Sequence, residues 1–156
     1  MKTNVDLNYL TSEIIKAAIR VNKELGPGLL ESVYQRCMII ELETMGHKVA
    51  SEVLVPVAYR GALIHNEGFK IDLLVEGEIP VELKSAEAIK PVYKKQLLTY
   101  LRLMKKPVGL LINFNEVLLK DGIVRIVNNF RENTCPDPSS PGTPKQSEGG
   151  SADQGK

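Results

Sequence analysis

The chain has 156 residues, 43% of them hydrophobic and 25% charged, an ordinary globular composition with length enough for one domain around one core. A formal charge of +1 excludes a uniformly basic protein, so any affinity for a polyanion has to come from local clustering. No apolar run is long enough to cross a bilayer and MKTNVDLNYL lacks the apolar core of a signal peptide, so the expectation is a cytoplasmic protein with no membrane attachment.

In chain order, apolar residues at 14, 15, 18, 21 and 25 predict a helix over residues 11–25 with Gly26 as its C-cap. Gly26-Pro27-Gly28 then makes a tight turn that sets the direction of a second helix over residues 29–45, stopped by Gly46. Cys37 falls in that helical pattern as a small buried hydrophobe, and Cys135 falls far away in polar sequence, so the two make neither a disulfide framework nor a zinc site. His47 at a strand start and His65 in a turn read as solvated histidines without partners at metal-ligand spacing.

The period then changes. Val49, Val53, Val55, Val57 and Tyr59 lie at odd positions, which is strand spacing, and Arg60-Gly61 is a turn signal. Ile71, Leu73 and Val75 continue the alternation through Asp72, and Glu76-Gly77-Glu78 is a three-residue hairpin loop before Pro80 and the stretch VELK at 81–84. Pro80 cannot donate a ladder hydrogen bond and stands where it could shift the register by one residue, which would turn Asp72 to the other face. A linker at 85–90 leads to Pro91, suited to the first turn of a helix reaching about residue 104. Pro107 closes that segment, VGLLINF reads as a buried strand, and Asp121-Gly122 reads as a hairpin turn between residues 117–120 and 123–127. The order is ααβββαβ with a further strand. Residues 131–156, rich in Pro, Ser and Gly, read as a disordered low-complexity tail on a domain of residues 1–130.

If Val75 faces Ile79 across the loop, counting back puts Asp72 opposite Glu82, and Lys84 shares the face of Glu82. Two carboxylates so placed have Cβ atoms about 4.5–5.5 Å apart and repel, so they need compensation. A hard divalent cation such as Mg²⁺ or Mn²⁺ supplies it, since such ions take one or two carboxylates together with waters and phosphate oxygens. Lys84 would place an ammonium beside that ion, an arrangement suited to phosphodiester hydrolysis. The competing reading is a solvent-facing Glu/Lys pair with an Asp that happens to lie across from it.

In the third helix Gln96 and Tyr100 are four apart and share a face, with Tyr93 just before them. Gln96 on an inward face needs a polar partner, which the VELK strand can supply. Lys84, Lys90, Lys94, Lys95, Arg102, Lys105 and Lys106 stand against one acid, Glu87. Such a cluster can neutralise nucleic-acid phosphates, or it can be a solvated helix face.

With GLLESVY at 28–34 fitting GxxExxY, Asp72, VELK and QLLTY at 96–100, the chain resembles a GxxExxY protein of the PD-(D/E)XK nuclease superfamily over roughly residues 9–128. The resemblance implies a restriction-endonuclease-like α/β fold: an αβββαβ core in a single domain, with a mixed sheet flanked by helices. It also implies Mg²⁺-dependent phosphodiester cleavage. It makes Asp72 and Glu82 metal ligands, Lys84 the catalytic lysine, Glu31 a supporting acid, and Gln96 with Tyr100 a Q-x-x-x-Y element. Read from the residues alone, Glu31 is equally a first-turn acid favourable to the helix dipole, and Tyr34 is packing. The expected partner is nucleic acid, with DNA the first reading and RNA open. A homodimer or a protein partner is also open, and the alternative function is a binding module that keeps the fold without cutting.

Overall fold

The computed structural model describes residues 5–129, apart from the side chains of residues 65–68. The expected tail at 131–156 and Cys135 lie outside the described residues. Helix α1 (Leu7–Leu25) begins four residues before the expected start at residue 11, because Asp6 is its N-cap and accepts from the N–H groups of Asn8 and Tyr9. Helix α2 (Glu31–Thr44) follows the Gly26-Pro27-Gly28 turn. Strands β1 (Val49–Tyr59), β2 (Ala62–Val75) and β3 (Ile79–Lys84) form an antiparallel meander. Helix α3 (Pro91–Met104) then crosses over to β4 (Val108–Asn113), which is parallel to β3, and β5 (Ile123–Val127) returns antiparallel to β4. The sheet order is β1-β2-β3-β4-β5, the mixed sheet of a restriction-endonuclease-like α/β fold.

Helices α1 and α2 cover one face. Leu10, Ile14, Ala17, Ala18 and Val21 recur at helical spacing along α1 and pack with Tyr34, Met38 and Leu42 of α2 onto Leu73, Val75, Val81, Leu83, Leu110 and Ile112 of the sheet. Each such fully buried aliphatic side chain contributes about 1.5–3 kcal/mol relative to exposure. Helix α3 covers the other face, where Leu97, Tyr100 and Leu101 pack against Val55, Ile71 and Leu111. No helix among the described residues is long and apolar enough to cross a membrane.

Four expectations need correction. The odd-numbered apolar residues of β1 and β2 do not stay on one face: Val49, Leu73 and Val75 join the α1/α2 core, whereas Val55 and Ile71 join the α3 side. The switch falls where the β1/β2 ladder skips Glu52 and Asp72. Residues 117–120 form no strand, and Asp121-Gly122 is no hairpin turn but the end of a 3₁₀ helix (Leu119–Gly122) that buries Leu119. Gly122 is needed there because a Cβ would run into the carbonyl of Asn113. His65 lies in β2, not in a turn. His47 is not solvated: its side chain is 13% exposed and sits between Glu13 and Glu76, 3.4 Å from each.

Pro80 causes no slip and pairs with Leu74, so Val75 faces Ile79 as the loop length requires. Cys37 is half-buried against the α1/α2 core.

Candidate active site

The β2/β3 ladder runs through Val75↔Ile79, Leu74↔Pro80 and Leu73↔Val81, and there it ends. The next residues along each strand are Asp72 and Glu82, and their carboxylates take over the role of the ladder. The N–H of Leu83 donates to Asp72 Oδ2 at 2.7 Å, and the N–H of Asp72 donates to Glu82 Oε1 at 3.3 Å. The remaining oxygens, Asp72 Oδ1 and Glu82 Oε2, accept no hydrogen bond among the described residues. The strands thus part around two acids, one half-buried and the other, Glu82, only 7% exposed.

Glu82 is buried because β3 is a central strand. While β2 leaves on one side, β4 pairs on the other, with Glu82↔Leu111 and Lys84↔Asn113 in register. Burial, then the neighbouring charge of Asp72, pushes the Glu82 carboxyl up to about 8. Burial also raises Asp72; the Leu83 hydrogen bond and Lys84 oppose the rise, while Glu31 and Glu52 add to it. Glu31, exposed at the first turn of α2, therefore lies within electrostatic reach of both acids.

Lys84 follows on the same face of β3, and its Nζ lies 4.7 Å from the centroid of the Tyr93 ring. From α3, Gln96 lies one turn before Tyr100, near its hydroxyl, and the Tyr100 ring packs tilted on Phe69 at 5.2 Å. Burial first, then the charge of Glu82, pushes that hydroxyl up to about 12, so it stays protonated near neutral pH. Of the six residues singled out from the sequence, Asp72 and Glu82 meet at the seam, Glu31, Lys84 and Tyr100 lie within electrostatic reach of both, and Gln96 lies beside Tyr100.

The basic residues are spread along α3 and its two ends. At about 100° per residue, Lys94, Lys95 and Arg102 share one exposed stripe of α3, with Lys90 at its N-cap. Lys105 is the left-handed C-cap at the far end, and Lys106 pairs with Glu78 at 3.5 Å beside the β2/β3 loop.

Three contributors escaped the sequence reading. Gln35, one residue past the GxxExxY tyrosine, donates from Nε2 to Glu52 Oε1 at 2.9 Å and to the carbonyl of Asp72 at 3.0 Å. Glu52 is that partner, at an even position that reads as solvent-facing. Asn113, fully buried at the end of β4, accepts from the N–H of Ala86 at 3.0 Å and donates to the carbonyl of Ala86 at 2.9 Å, fixing the chain just after Lys84. Only a polar residue ending an otherwise apolar run could have drawn attention to it.

Tyr34 is structural. Fully buried and stacked on Phe114 with centroids 4.4 Å apart, it donates its hydroxyl hydrogen to the carbonyl of Gly26 and accepts from the N–H of Leu29 at 3.2 Å. It clamps the turn that aims the start of α2, and with it Glu31, at the seam.

No group of three or more His, Cys, Asp or Glu able to enclose a metal is present among the described residues. The two seam carboxylates, each with one oxygen not engaged by an amide, nevertheless form a donor set that fits Mg²⁺ or Mn²⁺. These ions are held by one or two carboxylates and otherwise keep waters and substrate oxygens.

A family model described as the PD-(D/E)XK nuclease superfamily matches residues 8–126. No curated protein and no solved structure matches the chain.

Proposed function

The chain belongs to the PD-(D/E)XK nuclease superfamily, and from that premise we propose that it hydrolyses phosphodiester bonds of nucleic acid, DNA before RNA, with Mg²⁺ or Mn²⁺ held by Asp72 and Glu82. The observation that carries the reading is the seam, where two carboxylates stand in place of a ladder pair with Lys84 next along the strand. A bound divalent ion supplies Lewis acidity toward the phosphate and offsets the repulsion of the two acids. Lys84 holds its ammonium on the same face, steadied by Tyr93, where it stabilises negative charge growing on the phosphate. Tyr100 keeps its proton within reach of the acids' charge, with Gln96 beside it. Glu31 adds negative field at the seam mouth and raises its attraction for a cation.

Lys90, Lys94, Lys95 and Arg102 would contact the phosphate backbone, with Lys105 and Lys106 at the far end of α3. Within the superfamily, GLLESVY at 28–34 supports placement with the GxxExxY proteins. We read residues 1–130 as the nuclease-like domain and the cytoplasm as its place of action.

The second reading, a binding module that keeps this fold without cutting, draws on the amide hydrogen bonds that already satisfy one oxygen of each seam acid. Purified protein incubated with Mg²⁺ or Mn²⁺ on single-stranded, duplex and branched substrates decides between them. Cleavage above a Glu82→Gln control supports the nuclease, and its absence on every substrate supports the module.

A further inference from the structure

Four non-glycine residues among those described have positive φ. Arg60 and Glu76 sit in hairpin turns and Lys105 caps a helix, which are places where left-handed backbone is ordinary. Glu52, at φ 53°, lies inside a strand. A glutamate gains nothing locally from that conformation, and left-handed backbone inside a strand persists only where its surroundings enforce it.

The surroundings lead to Asp72. The β1/β2 ladder keeps one register on both sides, with Ser51↔Leu73 before and Val53↔Ile71 after, so Glu52 occupies the position across from Asp72. Asp72 in turn occupies the position across from Glu82, one step past Leu73↔Val81. Three acids thus stand in a row across three strands. The Asp72 peptide is held by side chains: its N–H donates to Glu82, and its carbonyl accepts from Gln35, whose same Nε2 also donates to Glu52.

We infer that Gln35 and Glu52 are positioning residues, a brace that fixes the Asp72 backbone so that its carboxylate faces Glu82 and thereby sets the affinity of the seam for a divalent cation. The inference rests on the metal-binding reading proposed above. Glu52 turns out of the strand and orients the Gln35 amide, and Gln35 grips the Asp72 carbonyl from α2. The brace ties helix, edge strand and central strand at one point, with no direct contact to a substrate required. The negative field of Glu52 at Asp72 works in the same direction, toward cation binding.

The test is a Mn²⁺ titration of full-length protein followed by melting temperature, for wild type, Glu52→Gln, Glu52→Gly and Gln35→Leu. Glycine accepts positive φ, so Glu52→Gly should melt as high as wild type or higher without metal, yet need about tenfold more Mn²⁺ for its half-maximal shift. Glu52→Gln and Gln35→Leu should show the same weakening, and should Gln35→Leu fail to fold, the Glu52 pair carries the test. A Mn²⁺ midpoint like that of wild type in the Glu52 variants overturns the brace and leaves the metal reading intact. A wild type that Mn²⁺ does not stabilise overturns both.

Discussion

The ammonium of Lys84 rests over the ring of Tyr93, joining the last residue of β3 to the first turn of α3. A lysine at the end of a strand has four rotatable bonds, and the ring limits where its charge can go. Tyr93→Leu should therefore lower cleavage by about 3- to 5-fold, the scale of an exposed cation–π contact. Lys84→Ala should remove the charge altogether and cost roughly 10²–10³-fold in rate. Neither should weaken Mn²⁺ binding, because both leave the carboxylates in place. Parallel rate and metal titrations check the separation.

The raised Glu82 carboxyl makes a prediction for stability. Its ordinary value is 4.5 and its folded value about 8, so between these pH values the folded chain holds a proton that the unfolded chain has lost. Metal-free stability should fall as pH rises through that window, by no more than about 1.4 kcal/mol per pH unit from this group. Glu82→Gln should flatten the decline and stabilise the metal-free protein on the alkaline side. Denaturant melts across the window measure both.

Metal should reverse the trend. Binding requires deprotonated carboxylates, so the rise in melting temperature on adding Mg²⁺ or Mn²⁺ should be larger near pH 8.5 than near pH 6, values about where the Glu82 carboxyl is mostly ionised and mostly protonated. Asp72→Ala should abolish the rise at both. Thermal melts with and without ion check this, and a rise that survives in Asp72→Ala would move the ion elsewhere.

If the α3 stripe contacts a nucleic-acid backbone, affinity should fall with salt at about −0.9 per phosphate contact on duplex DNA. Replacing Lys94 and Lys95 by Gln should flatten that slope by roughly 1–2. A titration over several salt concentrations reads the slope, and an unchanged value would return the stripe to a solvated face.

Tyr34→Phe should keep the stack on Phe114 and lose both hydroxyl hydrogen bonds to the turn, at a cost of about 1–2 kcal/mol. A lowered melting temperature with an unchanged fold by circular dichroism is the expected result.

The seam was legible from the sequence because a three-residue loop leaves little choice of register, and register alone puts Asp72 across from Glu82. The partners of that seam were less so. A glutamate in left-handed backbone carries no local signature, so the exchange of faces around Glu52 and Asp72 stayed hidden behind a regular odd-numbered pattern. Gln35 looks like any polar residue on a helix until the helix is docked. Asp121-Gly122 has the composition of a hairpin turn, whereas its glycine answers a close approach to Asn113. Composition shows that a glycine is present, and only packing shows which of its freedoms is used.

The parallel pairing of β3 with β4 also bears on the order in which the molecule assembles. Asp72 and Glu82 are ten residues apart in the chain, so a short hairpin closes the seam at small entropic cost. Pairing Lys84 with Asn113 has to close the far longer segment that contains α3. Kinetic studies should find the β2/β3 hairpin structured in the folding transition state and β4 docking after it, so that substitutions in β4 chiefly speed unfolding. The acids would then be drawn together before the strand that buries Glu82 arrives, and a divalent ion present during refolding would meet them while they are still open to water.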